Sequence, residues 1–552
     1  MRIDDNALKN ILVKNAYVTP EDMEKAETFA HTHHASPLEY LFSEGLVTRD
    51  LVGQAVAESL GVAYADLNSN QPSKKQVLEI PEDIAKNFRV VLFSKQRDSV
   101  VVATDDPTQA SMREALAAMF GGAAVTIVYS LSEDVDAAFM HYRKPLETRF
   151  SKIIEEKKRI APEILGEIFE DALTHRASDI HFEPQRDDIA VRFRVDGVLH
   201  EAGRIPRPVY ENILNRVKVQ SNLRIDEHFA AQDGSMRYEK EGRVLDLRTS
   251  IAPTIEGEKI VLRLLTSYVQ GLTLGELGLS AQHQGMLEAE TQKPFGMILV
   301  TGPTGSGKTT TLYALLKLLN NPDVNITTIE DPVEYRMTGV NQIQVNLQTN
   351  LTFATGLRSI VRQDPDIILV GEIRDRETAE IAVNAALTGH LMLSTFHAND
   401  AATAIPRLLD MGVEPFLLSS TLDVVVSQRL VRKICENCRR SVDIERDVLA
   451  RSFPRAHAHF DEPRITLYEG KGCPLCKSTG FRGRTAVFEI IRITPKLQDL
   501  ILRNPSAQQV WDCARSQGSA SMFEDGIEKV RNGVTTLEEL LRVAEPPENS
   551  GQ

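Results

Sequence analysis

From residue 281 onward, short apolar runs recur between stretches of helical periodicity: 297–302 (MILVTG), 327–332 (TTIEDP), 367–372 (IILVGE) and 391–397 (LMLSTFH). Apolar runs of this length, separated by helices, predict a parallel sheet buried on both faces. Upstream the pattern differs. Residues 189–199 (IAVRFRVDGVL) alternate, with Val191, Phe193 and Val195 on one face and Arg192, Arg194 and Asp196 on the other. Asp196-Gly197 predicts a hairpin turn. Residues 164–176 predict a helix, and 243–254 and 259–265 further strands. Nearer the start, 45–61 has helical spacing with Thr48 as N-cap, and 89–107 predicts two strands around a polar turn.

These shifts of pattern predict an α/β multidomain chain. Its parts are an α+β N-terminal docking domain (1–140), a linker dense in both charge signs (141–160) and an α+β middle domain (161–265). A hinge carrying Gly271, Gly275 and Gly278 (266–280) leads to the α/β domain (281–430). A cysteine-bearing subdomain (431–480), a C-terminal helical region (481–545) and a tail (546–552) complete it. The length of 552 residues agrees with this count, at about 100–200 residues per domain. Charge adds one exclusion: 63 basic against 77 acidic residues leave a net −14, unlike a protein that wraps nucleic acid, and no direct nucleic-acid partner is expected. No apolar run approaches the 18 residues of a spanning helix, and the start, MRIDDNALKN, lacks signal-peptide patterning. The expected location is cytoplasmic, with any membrane attachment made through other proteins.

The sharpest chemical signal is Gly302-Pro303-Thr304-Gly305-Ser306-Gly307-Lys308-Thr309, followed by Thr310 and a helical stretch over 310–319. It satisfies G-x-x-x-x-G-K-[ST] between a strand and a helix, the context a phosphate-binding loop requires. Glycines let successive N–H groups turn inward toward phosphate oxygens, and the helix N-terminus adds partial positive charge. Lys308 is placed to reach the β- and γ-phosphates of ATP, and the Thr309 hydroxyl to hold Mg²⁺.

Hydrolysis needs carboxylates as well. Glu330-Asp331-Pro332-Val333-Glu334 and Gly371-Glu372-Ile373-Arg374-Asp375 each follow an apolar strand. Gly371 stands where a Walker B motif has Asp, which leaves Glu372 to serve the Mg²⁺ site alone. Both Glu330 and Glu372 are candidate catalytic groups, and which of them activates water stays open. His390 and His397 bracket the last apolar run; structural and catalytic roles weigh equally, with His397 carried forward as a candidate. Arg192, Arg194 and Arg216 belong to the middle domain. As arginine fingers, Arg194 and Arg216 would stabilise charge on the transferring phosphoryl group.

EDPVE, RQDPDIILVGEIRD and LTGHLMLSTFHAND resemble the Asp box, atypical Walker B and His box of the secretion ATPase family, whose members drive type II secretion and type IV pilus assembly. The resemblance extends through SDIHFEP (178–184), VRFRVDG (191–197), QDG (232–234), GEKIVLRLL (257–265) and SQRLVRKIC (427–435). It implies a RecA-like ATPase core, a PAS-like middle domain, a homo-hexamer, an inner-membrane platform protein as partner and a cytoplasmic docking component. It also implies that the arginines act within one chain. Ser235 departs from the pattern, because many relatives carry a basic residue after QDG.

Cys435-Glu-Asn-Cys438 and Cys473-Pro-Leu-Cys476 form two C-x-x-C knuckles 34 residues apart. Four thiolates complete a tetrahedron and leave no open position, which predicts structural zinc. A redox site would carry a single pair at a helix start. Cys513 is expected to be a buried small apolar residue. The knuckles and the long N-terminal region resemble assembly and secretion ATPases more than retraction ATPases. Residues 36–60 resemble a helical motif that binds cyclic di-GMP in some members, but Ser36-Pro37-Leu38 replaces its Arg-Leu-Gly and Ser59 its Gln. Binding of that nucleotide is therefore not expected. The expected function is an ATPase motor assembling pilin-like subunits, with type II secretion or DNA uptake as the alternative and a non-hydrolysing scaffold further behind.

Overall fold

The computed structural model describes residues 5–33, 36–43, 46–142, 150, 153, 160–240, 243–265, 273–473, 476 and 478–546. Most of the expected linker (143–149, 151–152 and 154–159), the first part of the hinge (266–272) and the tail from 547 lie outside the described residues. The chain forms two compact units: residues 71–127 with 132–271, and residues 1–70 with 128–131 and 272–552. The expected N-terminal domain of 1–140 is thus divided between them.

Strands β1 (Val90–Lys95), β2 (Ser99–Thr104) and β3 (Ala124–Tyr129) make a sheet in that order, all but the last two residues of β3 lying in the first unit. Six antiparallel strands follow: β4 (Asp179–Pro184), β5 (Asp188–Val195), β6 (Val198–Pro206), β7 (Gln232–Lys240), β8 (Arg243–Thr254) and β9 (Gly257–Leu265). Their order is β6-β5-β4-β9-β8-β7. Helices Ile160–Thr174 and Arg207–Gln220 supply Ile164, Phe169, Ile213 and Val217 to a core with Phe182, Phe193, Ile260 and Leu262. The alternation read at 189–199 holds in β5, where Val191 and Phe193 are buried. The strand ends at Val195 because Asp196 (φ 49°) and Gly197 (φ 86°) both take left-handed conformations, the two-residue turn that joins β5 to β6. Strands β4 and β7 escape periodicity arguments. On β7, a sheet edge, Met236 alone is buried, so no apolar alternation marks it.

In the second unit, helix Arg49–Ser59 begins as expected, with the Thr48 hydroxyl accepting from Leu51 N at 3.3 Å. The main sheet contains β10 (Gly296–Thr301), β11 (Ile326–Glu330), β12 (Val340–Gln344), β13 (Ile367–Ile373), β14 (Leu391–Phe396) and β15 (Leu422–Ile434). The hairpin β16 (Arg439–Glu445) and β17 (Arg464–Gly470) intervenes before β18 (Phe481–Arg492). The sheet order is β12-β11-β13-β14-β10-β15-β18, parallel as far as β15, with β18 antiparallel to it. Both faces are buried: Met297 and Leu299 enter one apolar cluster, and Ile298 and Val300 the other. This is the two-sided burial that the unbroken apolar runs predict.

Three sequence expectations change here. The region 481–545 opens with a 12-residue strand, β18, because Ala486, Val487, Phe488, Ile490 and Ile491 are buried against both faces of the sheet. Helices take over only from Pro495. Residues 273–280 of the expected hinge are fixed to this unit: Leu274 and Leu279 are buried in its core and Ala486 N donates to Leu277 O at 2.9 Å. Cys513 is half-buried at the core's edge, where Gln517 Nε2 donates to its sulfur at 3.2 Å.

Candidate active site and tetracysteine cluster

The loop after β10 turns into helix Lys308–Leu319 through three glycines with positive φ. At Gly302 (φ 141°) a Cβ would lie 2.5 Å from Gln428 O, so the loop runs too close to β15 for any side chain. Gln428 fixes the loop from beneath. Its Nε2 donates to Ser306 O at 2.7 Å, and its Oε1 accepts from Thr311 Oγ1 at 2.7 Å. Pro303, Thr304 and Gly305 are exposed at the tip, while Thr309 and Thr310 are half-buried on the first helical turn. Lys308 Nζ folds back to Gly302 O (2.9 Å) and Pro303 O (3.1 Å). Burial pushes its ammonium below the usual range, against the opposing pull of the Glu372 carboxylate.

Glu330 ends β11, Glu372 lies at the end of β13 and His397 follows β14, at the carboxyl ends of parallel strands where ligands of open α/β sheets bind. The register of β13 against β14 jumps between Val370 and Ile373, which turns the 371–372 segment. There, a Cβ on Gly371 would sit 3.2 Å from Glu330 Cα and 3.3 Å from Ile329 O. A side chain at 371 would need β11 to give by a few tenths of an ångström.

The two carboxylates occupy different environments. Glu330 is buried, and its oxygens accept from Thr328 Oγ1 (2.6 Å), from the Tyr313 hydroxyl and from Gln342 Nε2 (3.4 Å). Burial raises its pKa despite those donors, and pushes the Tyr313 hydroxyl far above its usual range. Glu372 meets a guanidinium and an imidazole instead: Arg374 Nη2 at 2.5 Å and His397 Nε2 at 3.0 Å. His397 is half exposed and aimed at a carboxylate. His390 is spent locally, its Nδ1 donating to Ala385 O at 2.8 Å. Sequence reading missed Gln428 and Tyr313. A Gln within an apolar strand run was the available signal for the first; nothing marked the second.

Arg192 pairs with Glu183 (2.6 Å), and Arg194 donates to Gly197 O (2.9 Å) and faces Asp179 (3.7 Å). Arg216 is exposed on helix Arg207–Gln220. These three lie in the unit of residues 71–127 and 132–271, and Lys308 in the other.

The cysteines come together from both ends of the hairpin insertion. Cys435 directly follows β15 and Cys476 precedes β18. The four sulfurs lie within 4.8 Å of one another, with Cys435–Cys473 and Cys438–Cys476 both at 3.8 Å and Cys473–Cys476 at 3.7 Å. Thiolates about 2.3 Å from a tetrahedral zinc would be about 3.8 Å apart. Backbone N–H groups of Cys473 (3.1 Å) and Gly480 (3.3 Å) donate to Cys476 Sγ, which suits a thiolate. The cluster fits a closed tetrahedral thiolate site.

Comparison with known proteins agrees with this geometry. Residues 154–542 match the family model described as type II/IV secretion system protein, and residues 60–149 match the MshEN domain. A type IV pilus assembly ATPase PilB of Thermus thermophilus is 39% identical over 520 residues, covering 91% of this chain and 58% of that protein, so the chain spans less than two thirds of that relative's length. The corresponding PilB of Myxococcus xanthus is 36% identical, covering 97% of this chain and 98% of its own. A type II secretion system protein E of Pseudomonas aeruginosa is 44% identical, covering 78% and 85%. The fold is similar to the X-ray structure of the Legionella pneumophila ATPase DotB, with TM-score 0.52 and 21% identity over 70% of this chain and 96% of that one. The family match across the middle and C-terminal regions, over a phosphate loop with acidic residues at two neighbouring strand ends, shows that the chain belongs to the type II/IV secretion system protein family, as an ATPase of the secretion and pilus-assembly type.

Proposed function

We propose that the chain is a motor ATPase that drives assembly of pilin-like subunits in type IV pilus biogenesis. It works as a homo-hexamer on the cytoplasmic side of the inner membrane, bound to a platform protein and a cytoplasmic docking component. The observation carrying this reading is the match to a pilus assembly ATPase over 97% of the chain and 98% of the relative, N-terminal region included. Type II secretion is the second reading, supported by the higher identity, 44%, to a secretion ATPase over a shorter stretch. No helix among the described residues is long and apolar enough to cross a membrane, in keeping with attachment through partners.

In this reading the backbone N–H groups of 304–309 receive the phosphates of ATP, and Lys308 leaves Gly302 O and Pro303 O for the β- and γ-oxygens. Thr309 and Glu372 would hold Mg²⁺, which would supply positive charge to the phosphates. Glu372 orients the attacking water and shares the released proton with His397, which already faces its carboxylate. The water oxygen bonds to the γ-phosphorus as the bond to the bridging oxygen breaks, and ADP leaves with its charge. Glu330, sealed behind Tyr313 and Thr328, steadies the acidic turn against the phosphate-loop helix rather than meeting water. Arg194 and Arg216 supply positive charge to the phosphoryl group from the middle domain, and Cys435, Cys438, Cys473 and Cys476 hold a structural zinc.

Three outcomes follow from this proposal. Deleting the gene removes surface pili, and the wild-type chain restores them where Lys308→Ala does not; a piliated deletion strain that fails to export proteins would instead favour the secretion reading. Elemental analysis gives one zinc per chain, and chelation opens 435–476 to protease; protein without zinc and with four freely reactive thiols would refute the metal site. Mixing Arg194→Ala with Lys308→Ala chains in one ring recovers no activity, because arginine and phosphate loop act within one chain. Recovered turnover would place the arginine across an interface.

A further inference from the structure

The turn that carries His397 has no regular structure of its own: residues 397–400 run from the end of β14 to helix Ala401–Asp410. A half-exposed imidazole on such a turn keeps its 3.0 Å contact with Glu372 only if the backbone beneath it is held. Three backbone groups of the turn are held by side chains from elsewhere. Arg407, on the helix that the turn leads into, donates from Nη1 to His397 O. Arg429 Nη2 donates to Asn399 O at 3.1 Å, and Glu489 Oε1 accepts from Ala401 N at 2.8 Å.

The last two residues come from the strand pair at the far end of the sheet. Arg429 lies on β15 and Glu489 on β18, where Glu489 pairs in register with Ser427. Arg429 immediately follows Gln428, whose amide grips the phosphate loop at Ser306 O. Neighbouring residues on a strand face opposite ways. One strand therefore reaches the phosphate loop with one side chain and the histidine turn with the next.

Glu489 is 8% exposed and no cation within salt-bridge distance accompanies it among the described residues. Burial, reinforced by the Asp400 charge, pushes its carboxyl up to about 7. A group that spends much of its time neutral at such a site serves as a hydrogen-bond acceptor more than as a charge, and it sits where the first N–H groups of helix Ala401–Asp410 need one.

We propose that Arg429 and Glu489 are positioning residues for ATP hydrolysis: they fix the 397–401 turn so that His397 stays on Glu372, while Gln428 on the same strand fixes the phosphate loop. Neither residue touches substrate. Their effect runs through His397, so the inference rests on the reading of His397 and Glu372 as the water-handling pair.

The test is a steady-state cycle on the full chain with His397→Ala, Arg429→Ala and the double variant, alongside Glu489→Leu and Glu489→Gln. Arg429→Ala lowers kcat by roughly 10–100-fold, as a small misplacement of a catalytic group does, with KM for ATP changed less than about 2-fold because the loop grip is intact. The double variant is no slower than His397→Ala alone, since a residue acting only through His397 has nothing left to position. Glu489→Gln keeps an oxygen acceptor for Ala401 N and stays within about 2-fold of wild type, whereas Glu489→Leu falls as far as Arg429→Ala. Arg429→Lys, which retains a donor, falls between wild type and Arg429→Ala, and this covers the case in which the alanine variant folds poorly. Multiplying losses in the double variant would overturn the inference, and so would a Glu489→Gln chain as slow as Glu489→Leu. Wild-type turnover by His397→Ala would be a different failure, that of the site reading itself, and would remove the inference with it.

Discussion

A phosphate loop is useful only while its N–H groups stay turned inward, and the three glycines in this one offer no side chains with which to hold it. In this protein the constraint falls on one buried amide. Gln428 bonds Ser306 O with its nitrogen and Thr311 Oγ1 with its oxygen, joining the loop, the first turns of the following helix and strand β15. Gly302 and Gly307 lie so close beneath that a Cβ would meet Gln428 O at 2.5 Å and Gln428 Nε2 at 3.1 Å. The loop's shape is thus set by the neighbouring strand as much as by its own composition. Loss of the amide would leave buried partners unsatisfied, at about 1–3 kcal/mol per group.

Tight packing continues at the acidic residues. Strand β11 lies close against β13 at Gly371, and the next residue, Glu372, is the carboxylate whose charge acts on the phosphate-loop lysine. On the adjacent strand Glu330 is buried, where Tyr313 from the phosphate-loop helix and Thr328 from its own strand saturate it. Two glutamates that look equivalent along the chain differ in solvation and in partners. Only Glu372 keeps a cationic, partly open surrounding suited to orienting water.

Much of this was legible in the sequence where local chemistry determined it. The phosphate loop, its flanking strand and helix, the buried parallel strands and the alternation of β5 all follow from residue type and spacing, and the knuckle spacing foretold a cluster of four thiols. Features set by tertiary approach were not. Strand β18 was hidden because its apolar run has no period to separate a two-sided strand from a buried helix. The polar edge strand β7 carries a single buried residue, Met236. The different fates of Glu330 and Glu372 depend on a tyrosine 17 residues away from one and a histidine 25 residues away from the other. No spacing rule reaches that far.

The central claim is that Glu372 handles water beside the loop that binds the phosphates of ATP. It is tested most directly by comparing nucleotide bound and phosphate released by the wild-type chain and by Glu372→Gln, with Mg²⁺ present. The amide preserves the shape of the carboxylate but not its charge, so the variant should bind ATP as the wild type does, keep it unhydrolysed, and release phosphate at least roughly 100-fold more slowly. Phosphate release by Glu372→Gln at the wild-type rate would contradict the account.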